Sequence, residues 1–257
     1  MSPAVHDHRA RSRVPTLLVF TLGAESEARR HPLLPESLRD SEIQLRRACL
    51  ASVLGAGRTV GCRLEVSSPR PLSVDGASWW EQRGASFGER FHNALVGAWS
   101  RTPGPVIAVG TDAPGLGPRH LQRALELLAQ DENRVVLGPA GDGGVYLVAA
   151  ARPIEDLQSV SWCGRGTRQS LRRALRRAKR PVALLAPLED LDRPCDLDRW
   201  IATSPRGPLL AWARRLGRLL AARRLCGLNP PRPYVPTLWA AASLGRAPPS
   251  PLPPPFS

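Results

Sequence analysis

Short apolar runs alternate with segments of helical period through most of the chain. TLLVF (16–20) is continuously apolar with β-branched and aromatic members, the pattern of a strand covered on both faces. CRLEVSS (62–68), PVIAVG (105–110), RVVLG (134–138), GVYLVAA (144–150) and PVALLAP (181–187) read as further strands. Between them, residues 41–57, 86–99, 117–130 and 167–180 read as helices. In the first of these, Ile43, Leu45, Cys49, Leu50, Val53 and Leu54 form an apolar stripe, with Ser41 as candidate cap and Gly55 and Gly57 as the stop. In the second, Phe87, Phe91, Leu95 and Val96 share one side. Strands alternating with helices predict an α/β fold with a mainly parallel sheet.

The pattern also divides the chain. Residues 1–13 are polar and expected to be disordered, residues 14–204 form one α/β domain, and residues 205–257 form a basic helical extension. Within the extension, 208–225 reads as an amphipathic helix. Leu209, Trp212, Leu216, Leu219 and Leu220 lie on one face, and Arg214, Arg215, Arg218 and Arg223 lie largely elsewhere. Such a helix packs its apolar face on the domain or makes peripheral contact with an anionic membrane. The tail beyond it is Pro-rich. No stretch reaches the ~20 apolar residues of a membrane span, and the N-terminus lacks a signal-peptide pattern, so a cytoplasmic location is expected.

Composition changes this picture only in part. Hydrophobic residues make up 42% of the 257, enough for a substantial core. The formal net charge is +14, and Lys179 is the only lysine, so the basic residues are almost all arginine. That charge suits an acidic partner such as a nucleotide phosphate, or simply a solvated surface. The arginines of 167–180 are spread around the helix rather than along one stripe, so nucleic-acid contact is not expected. The five cysteines show no C-x-x-C spacing, which indicates free thiols and neither zinc nor a disulfide framework. The absence of G-x-S-x-G, Walker and G-x-G-x-x-G signatures argues against serine-nucleophile, P-loop and NAD chemistry.

Two carboxylates then stand out. Val106 to Leu137 reads as strand, helix, strand, a crossover that makes two parallel strands ending at one edge of the sheet. Asp112 lies just past the first strand and Asp142 just past the second, so neighbouring strands would bring both to one rim. Ligands in open α/β sheets bind at that edge. Gly141, Gly143 and Gly144 keep bulk away from Asp142, and carboxylates with phosphate oxygens are how Mg²⁺ is commonly held. Each aspartate alone reads equally well as a turn or cap residue. Asp190, Asp192, Asp196 and Asp198 form a further acidic cluster, either caps before the last domain helix or a second ligand near the rim. Trp79 and Trp80 suit stacking on a base or sugar, or a core or lid role.

At these residues the chain resembles a known family. VIAVGTDAPGL (106–116), HLQRALELL (120–128) and VVLGPAGDGGVYLVA (135–149) are similar to bacterial glycosyltransferase-like proteins described as radical-SAM-associated transferases. These sit in the GT-A nucleotide-diphospho-sugar transferase superfamily, beside the phospholactate and molybdenum-cofactor guanylyltransferases. QRGASFGERFHNAL (82–95), VSWCGRGTRQSL (160–171) and LEDLDRPCDLDRW (188–200) resemble further family elements in consistent order. The resemblance implies a three-layer Rossmann-like GT-A domain that binds a nucleotide-sugar or a nucleoside triphosphate together with a small-molecule acceptor. It implies Asp112 as ligand of Mg²⁺ or Mn²⁺, and Gly138, Asp142, Gly143 and Gly144 in the donor or acceptor pocket; Asp142 is expected there as the catalytic carboxylate, placing the acceptor or acting as base. Arg90, paired with Glu89 in the family's E-R motif, is implied as a phosphate contact. The activity implied is metal-dependent glycosyl transfer; nucleotidyl transfer and a non-catalytic nucleotide-binding member are the alternatives. The first loop departs from the family. It keeps Gly23 and offers Arg29 and Arg30 for phosphate, but it lacks the family's lysines and introduces Glu25 and Glu27.

Overall fold

The computed structural model describes residues 14–155, 157–162, 164 and 166–203. The expected N-terminal disorder, the helix over 208–225 and the Pro-rich tail lie outside the described residues. Seven strands, β1 (Thr16–Phe20), β2 (Arg63–Ser68), β3 (Ser78–Glu81), β4 (Val106–Val109), β5 (Val135–Pro139), β6 (Val145–Ala150) and β7 (Val182–Leu184), form one sheet in the order β3-β2-β1-β4-β6-β5-β7. All pairings are parallel except those of β6, which runs antiparallel to both β4 and β5. Among the described residues, five helices lie between strands, α1 (Ala24–Arg30), α2 (Arg39–Val60), α3 (Phe87–Arg101), α4 (Pro118–Gln130) and α5 (Thr167–Arg177), and α6 (Pro194–Thr203) follows the last strand.

The continuous apolar strands are buried on both faces, and their alternation assigns each side chain to one of two cores. Leu17 and Val19 of β1 and Ile107 and Val109 of β4 pack with Val53 and Leu54 of α2 and Leu121 and Leu128 of α4. Leu18, Phe20, Val106 and Ala108 point the other way, onto Phe87, Phe91 and Leu95 of α3 and Leu171 and Leu175 of α5. This is the three-layer arrangement expected of a sheet buried on both sides. A third, smaller core joins the first loop to the last helix: Leu33 and Leu34 meet Leu45 and Cys49 of α2 and Leu197 and Trp200 of α6. Among the described residues no helix is long and apolar enough to cross a membrane. Cys49, Cys62 and Cys195 are free.

Several boundaries differ from the sequence reading for identifiable reasons. Helix α2 begins before Ser41, with Leu38 at its N-cap, and it runs through Gly55 and Gly57 to a left-handed Gly61. Gly57 is inside the helix because a Cβ there would lie 2.5 Å from Leu17 and 2.7 Å from Leu64, so the helix can approach the sheet only without one. AESEARR (24–30) is helical rather than loop, and SWWE (78–81) is an exposed edge strand; Trp80 carries the Arg101 guanidinium 3.8 Å above its ring. Helix α5 ends at Arg177, three residues short of the expected stop. β7 is only three residues long; beyond Leu184 the chain stays beside the end of β5, with a parallel bridge between Leu188 and Ala140, before it turns to the end of β4.

That segment, at the rim of the sheet, positions the site. β4 and β5 are not neighbours, as the two-carboxylate reading required; β6 lies between them. The two strands still point the same way, about 10 Å apart at two strand spacings. Asp142 sits in the hairpin that joins β5 to β6. The gap is closed from above by residues 185–191, whose backbone steps along the mouth. Leu185 N donates to Leu137 O at 2.9 Å, Leu188 N to Pro139 O at 3.1 Å, and Gly141 N to Leu188 O at 3.2 Å. Leu191 N then donates to Asp112 O at 2.7 Å. Asp190 and Asp192 are thereby laid between the ends of β4 and β5.

Candidate functional site

The hairpin 138–144 is built around two close approaches. Asp142 Oδ1 accepts the Gly144 N–H at 2.7 Å, an Asx turn. A Cβ at Gly144 would lie 2.9 Å from that oxygen, and Gly143 has φ 97°, so both glycines are required by the turn itself. Gly143 O also accepts the Arg168 N–H of α5 at 3.1 Å, which fixes the hairpin to the helix beneath it. Gly138, implied by the resemblance as a pocket residue, lies at the end of β5 against the Tyr146 ring. The Tyr146 ring fills its missing side chain, with ring carbons 2.4 to 2.8 Å from where a Cβ would stand, and Tyr146 Oη donates to Ala186 O at 2.9 Å. Gly138 thus leaves room for the Tyr146 ring, whose hydroxyl holds the rim segment at Ala186.

Asp142, Asp190 and Asp192 converge. One carboxylate oxygen from each lies within 4.8 Å of the others, a spacing suited to a common cation. They line an open cleft of about 350 Å³ together with Gly141, Glu189, Arg193, Asp196 and Arg199. Asp196 caps α6 through Arg193 N at 2.9 Å, and Arg199 pairs with Glu189 at 2.9 Å, so those acids serve the helix end. Asp192 Oδ1 is buried and has no hydrogen-bond partner among the described residues. Burial, then the charges of Asp112 and Asp142, push Asp190 up from 3.8 to about 8. Asp192 is raised by burial and then by Asp112, Asp190 and Asp142. A hard divalent cation with oxygen ligands fits this donor set, because it satisfies the orphan oxygen and removes the mutual repulsion.

Asp112 lies beside this cluster and is almost fully buried. Its carboxyl is raised above the usual range by burial, then by the charge of Glu27, and more weakly by Asp142. It also lines a second recess on the same rim, shared with Phe20, Leu22, Glu27, Gln82 and Phe87. Arg30 and Arg90 border that recess too, whereas Arg29 is exposed outside it. Gly23 caps α1 with φ 85° and turns the chain from β1 into that helix. Glu89 holds the start of α3 by accepting from Ala85 N at 2.7 Å, a capping role, which leaves Arg90 as the member of the pair that borders the recess.

The sequence reading did not identify Gln82. Its amide nitrogen donates to Thr21 O at 3.0 Å and Ser67 O at 2.9 Å, which fixes the amide orientation. Its Oε1 is buried with no partner among the described residues, and the side chain lines the recess beside Phe20 and Phe87. The available signal was its place at the head of QRGASFGERFHNAL (82–95), the segment that resembles a family element, in which the reading singled out Arg90 and passed over Gln82. Glu25 and Glu27 do not act as a pair of loose acids. Glu25 is bound to Arg47 at the surface, and Glu27 is buried in a network of hydrogen bonds.

A family model described as "Uncharacterized protein conserved in bacteria (DUF2064)" matches residues 65–164, the stretch from β2 through the Asp142 hairpin to just before α5. A search of curated proteins finds no match. Among solved structures the chain is similar to a candidate nucleotide-diphospho-sugar transferase from Desulfovibrio desulfuricans G20. The two are 22% identical, with a TM-score of 0.68 over 80% of this chain and 97% of that one. It is also similar to the manganese complex of Rv0371C from Mycobacterium tuberculosis H37Rv, at 18% identity and a TM-score of 0.49, covering 74% of this chain and 100% of that one. A third is glucosyl-3-phosphoglycerate synthase from Mycobacterium tuberculosis, solved with Mn²⁺ and UDP, at 16% identity and a TM-score of 0.46, covering 85% of this chain and 81% of that one. The first comparison establishes the architecture: this chain has the Rossmann-like α/β fold of the Desulfovibrio desulfuricans nucleotide-diphospho-sugar transferase candidate.

Proposed function

We propose that the protein is a divalent-cation-dependent transferase that takes a glycosyl group from a nucleotide-sugar. The observation that carries this reading is the meeting of Asp142, Asp190 and Asp192 at the carboxyl edge of the sheet, beside the buried Asp112. These residues would hold Mg²⁺ or Mn²⁺. The cation, when bound, supplies charge neutralisation for a diphosphate and for its departure. Family resemblance assigned the metal to Asp112 alone; the convergence favours the other three as direct ligands, with Asp112 flanking them. Relatives of this fold solved with Mn²⁺ and with nucleotides agree with such a ligand.

The chain's own residues supply the rest. Arg30 and Arg90 meet phosphate oxygens with charged N–H donors. Phe20, Leu22 and Phe87 offer an apolar wall for the edge of a base, and the fixed Gln82 Oε1 accepts an N–H from it. In the transfer, the bond from the sugar carbon to the phosphate oxygen breaks, a bond from that carbon to an acceptor oxygen forms, and the nucleoside diphosphate leaves. The acceptor's proton passes to a rim carboxylate that the cation leaves free, and Asp142, fixed by its turn, would help orient the acceptor.

A thermal-shift panel of nucleotides and nucleotide-sugars, with Mn²⁺ or EDTA, tests the reading. Stabilisation by a nucleotide-sugar that needs Mn²⁺ and is lost in Asp190→Ala supports it. Release of a nucleoside diphosphate in turnover identifies glycosyl transfer, whereas release of pyrophosphate from a nucleoside triphosphate identifies nucleotidyl transfer in the same site. A protein that no nucleotide stabilises, with or without metal, is a non-catalytic member of the fold.

A further inference from the structure

Beneath the recess lies a buried charge triad. Glu27 of α1 and Glu42 and Arg46 of α2 are 2%, 1% and 5% exposed. Arg46 pairs with Glu42 at 2.9 Å and with Glu27 at 3.3 Å, so one guanidinium serves two carboxylates and the formal charge of the group is one negative. Glu42 spends its oxygens on Leu33 N and Leu34 N, both at 3.1 Å, which shape the first loop. Glu27 points towards the rim. Its Oε1 accepts from Thr21 Oγ1 at 2.6 Å and Leu22 N at 3.1 Å, and its Oε2 accepts from Thr111 Oγ1 at 3.4 Å, next to Asp112. Glu27 also lines the recess with Arg30, Arg90 and Asp112.

A phosphate approaching Arg30 and Arg90 thus meets a fixed carboxylate that salt screens far less than a surface charge, because it is buried. The same carboxylate attracts a cation. Building on the cation-dependent reading above, we propose that Glu27 sets the charge of the recess so that bare phosphate anions are refused and are admitted only as their complex with the divalent cation. The acid that replaces a basic loop is therefore a gate on binding order: cation with or before nucleotide, never nucleotide alone. In the recess Glu27 and Asp112 face Arg30 and Arg90, and in the cleft beside it Arg193 and Arg199 stand among the carboxylates. Asp112, Asp142, Asp190 and Asp192 lie on the cation side, and Arg30 and Arg90 alone among the recess-lining residues lie on the phosphate side.

The test titrates two simple probes, Mn²⁺ alone and inorganic pyrophosphate in EDTA, into the full chain by calorimetry. Glu27→Gln keeps the side chain's shape and an acceptor oxygen but removes the charge. The expected result is opposite movement: Mn²⁺ affinity falls about tenfold while metal-free pyrophosphate affinity rises several-fold. Glu25→Gln, on the same helix but paired with Arg47 at the surface, changes neither by more than about twofold. Should Glu27→Gln not fold, Glu42→Gln provides the same reading, since it releases Arg46 wholly to Glu27 and must shift both affinities in the same two directions. Weakening of both probes together makes Glu27 only a structural brace and overturns the proposal, as does no change in either. A wild-type protein that binds no Mn²⁺ refutes the cation-dependent reading itself, and this inference falls with it.

Discussion

Asp190→Asn separates what the rim aspartates do for stability from what they do for binding. In the folded, metal-free protein Asp190 is pushed from 3.8 to about 8. At about pH 7 the unfolded chain carries this carboxyl ionised while the folded chain holds it mainly protonated. The difference of roughly 3 pKa units, at 1.36 kcal/mol each, bounds the cost to folding at about 4 kcal/mol. The residue is partly reached by water, and its shift is shared with Asp112 and Asp142, so the realised cost is on the order of 1–2 kcal/mol. Asn keeps the shape and the carbonyl oxygen but carries no charge to desolvate. Urea denaturation in EDTA should therefore show Asp190→Asn about 1–2 kcal/mol more stable than wild type, and the same experiment with Mn²⁺ should show wild type stabilised and the variant not. A variant that is less stable in EDTA, or that Mn²⁺ stabilises as strongly as wild type, would refute the placing of Asp190 among mutually repelling, cation-seeking carboxylates.

Three further outcomes are expected. Mn²⁺ affinity should rise as pH increases from about 6 to 9, with protons released on binding, because Asp112, Asp190 and Asp192 all have raised pKa values and must ionise to bind; the metal-free protein should lose stability over the same rise, and calorimetry in buffers of different ionisation enthalpy reads the protons. Arg46→Met should destabilise by roughly 3–5 kcal/mol, since it leaves Glu27 and Glu42 buried without their cation, and chemical denaturation measures it. Gly138→Ala should cost roughly 1–3 kcal/mol and lower the melting temperature, because the Tyr146 ring occupies the space a methyl needs.

The fold was legible because its signal is redundant. Every central strand is an unbroken apolar run, and every major helix carries an apolar stripe, so pattern alone separates the layers. What pattern could not show was order in the sheet. The insertion of β6 between β4 and β5 depends on the Asp142 hairpin turning back on itself, and a turn of glycines and one aspartate carries no sign of which neighbour it chooses. The strand β3 was missed because SWWE lies at an exposed edge, where alternation is weak. Asp112 and Asp142 were visible as residues after strands. The partners that complete the cluster, Asp190 and Asp192, read equally well as helix caps, because only the rim path from Leu185 to Leu191 brings them across the mouth. Glu27 was read as an intruder in a phosphate loop. Its pairing with Arg46, nineteen residues away on another helix, is a tertiary fact that local sequence does not encode.

Anomalous diffraction from crystals of the protein grown with Mn²⁺ and a nucleoside diphosphate bears most directly on the claim that the rim carboxylates form a cation site. The account predicts a manganese peak bonded to Asp142, Asp190 and Asp192, with the diphosphate reaching towards Arg30 and Arg90. Manganese at other surface acids with none at the rim, or a diphosphate bound elsewhere on the molecule, would contradict it.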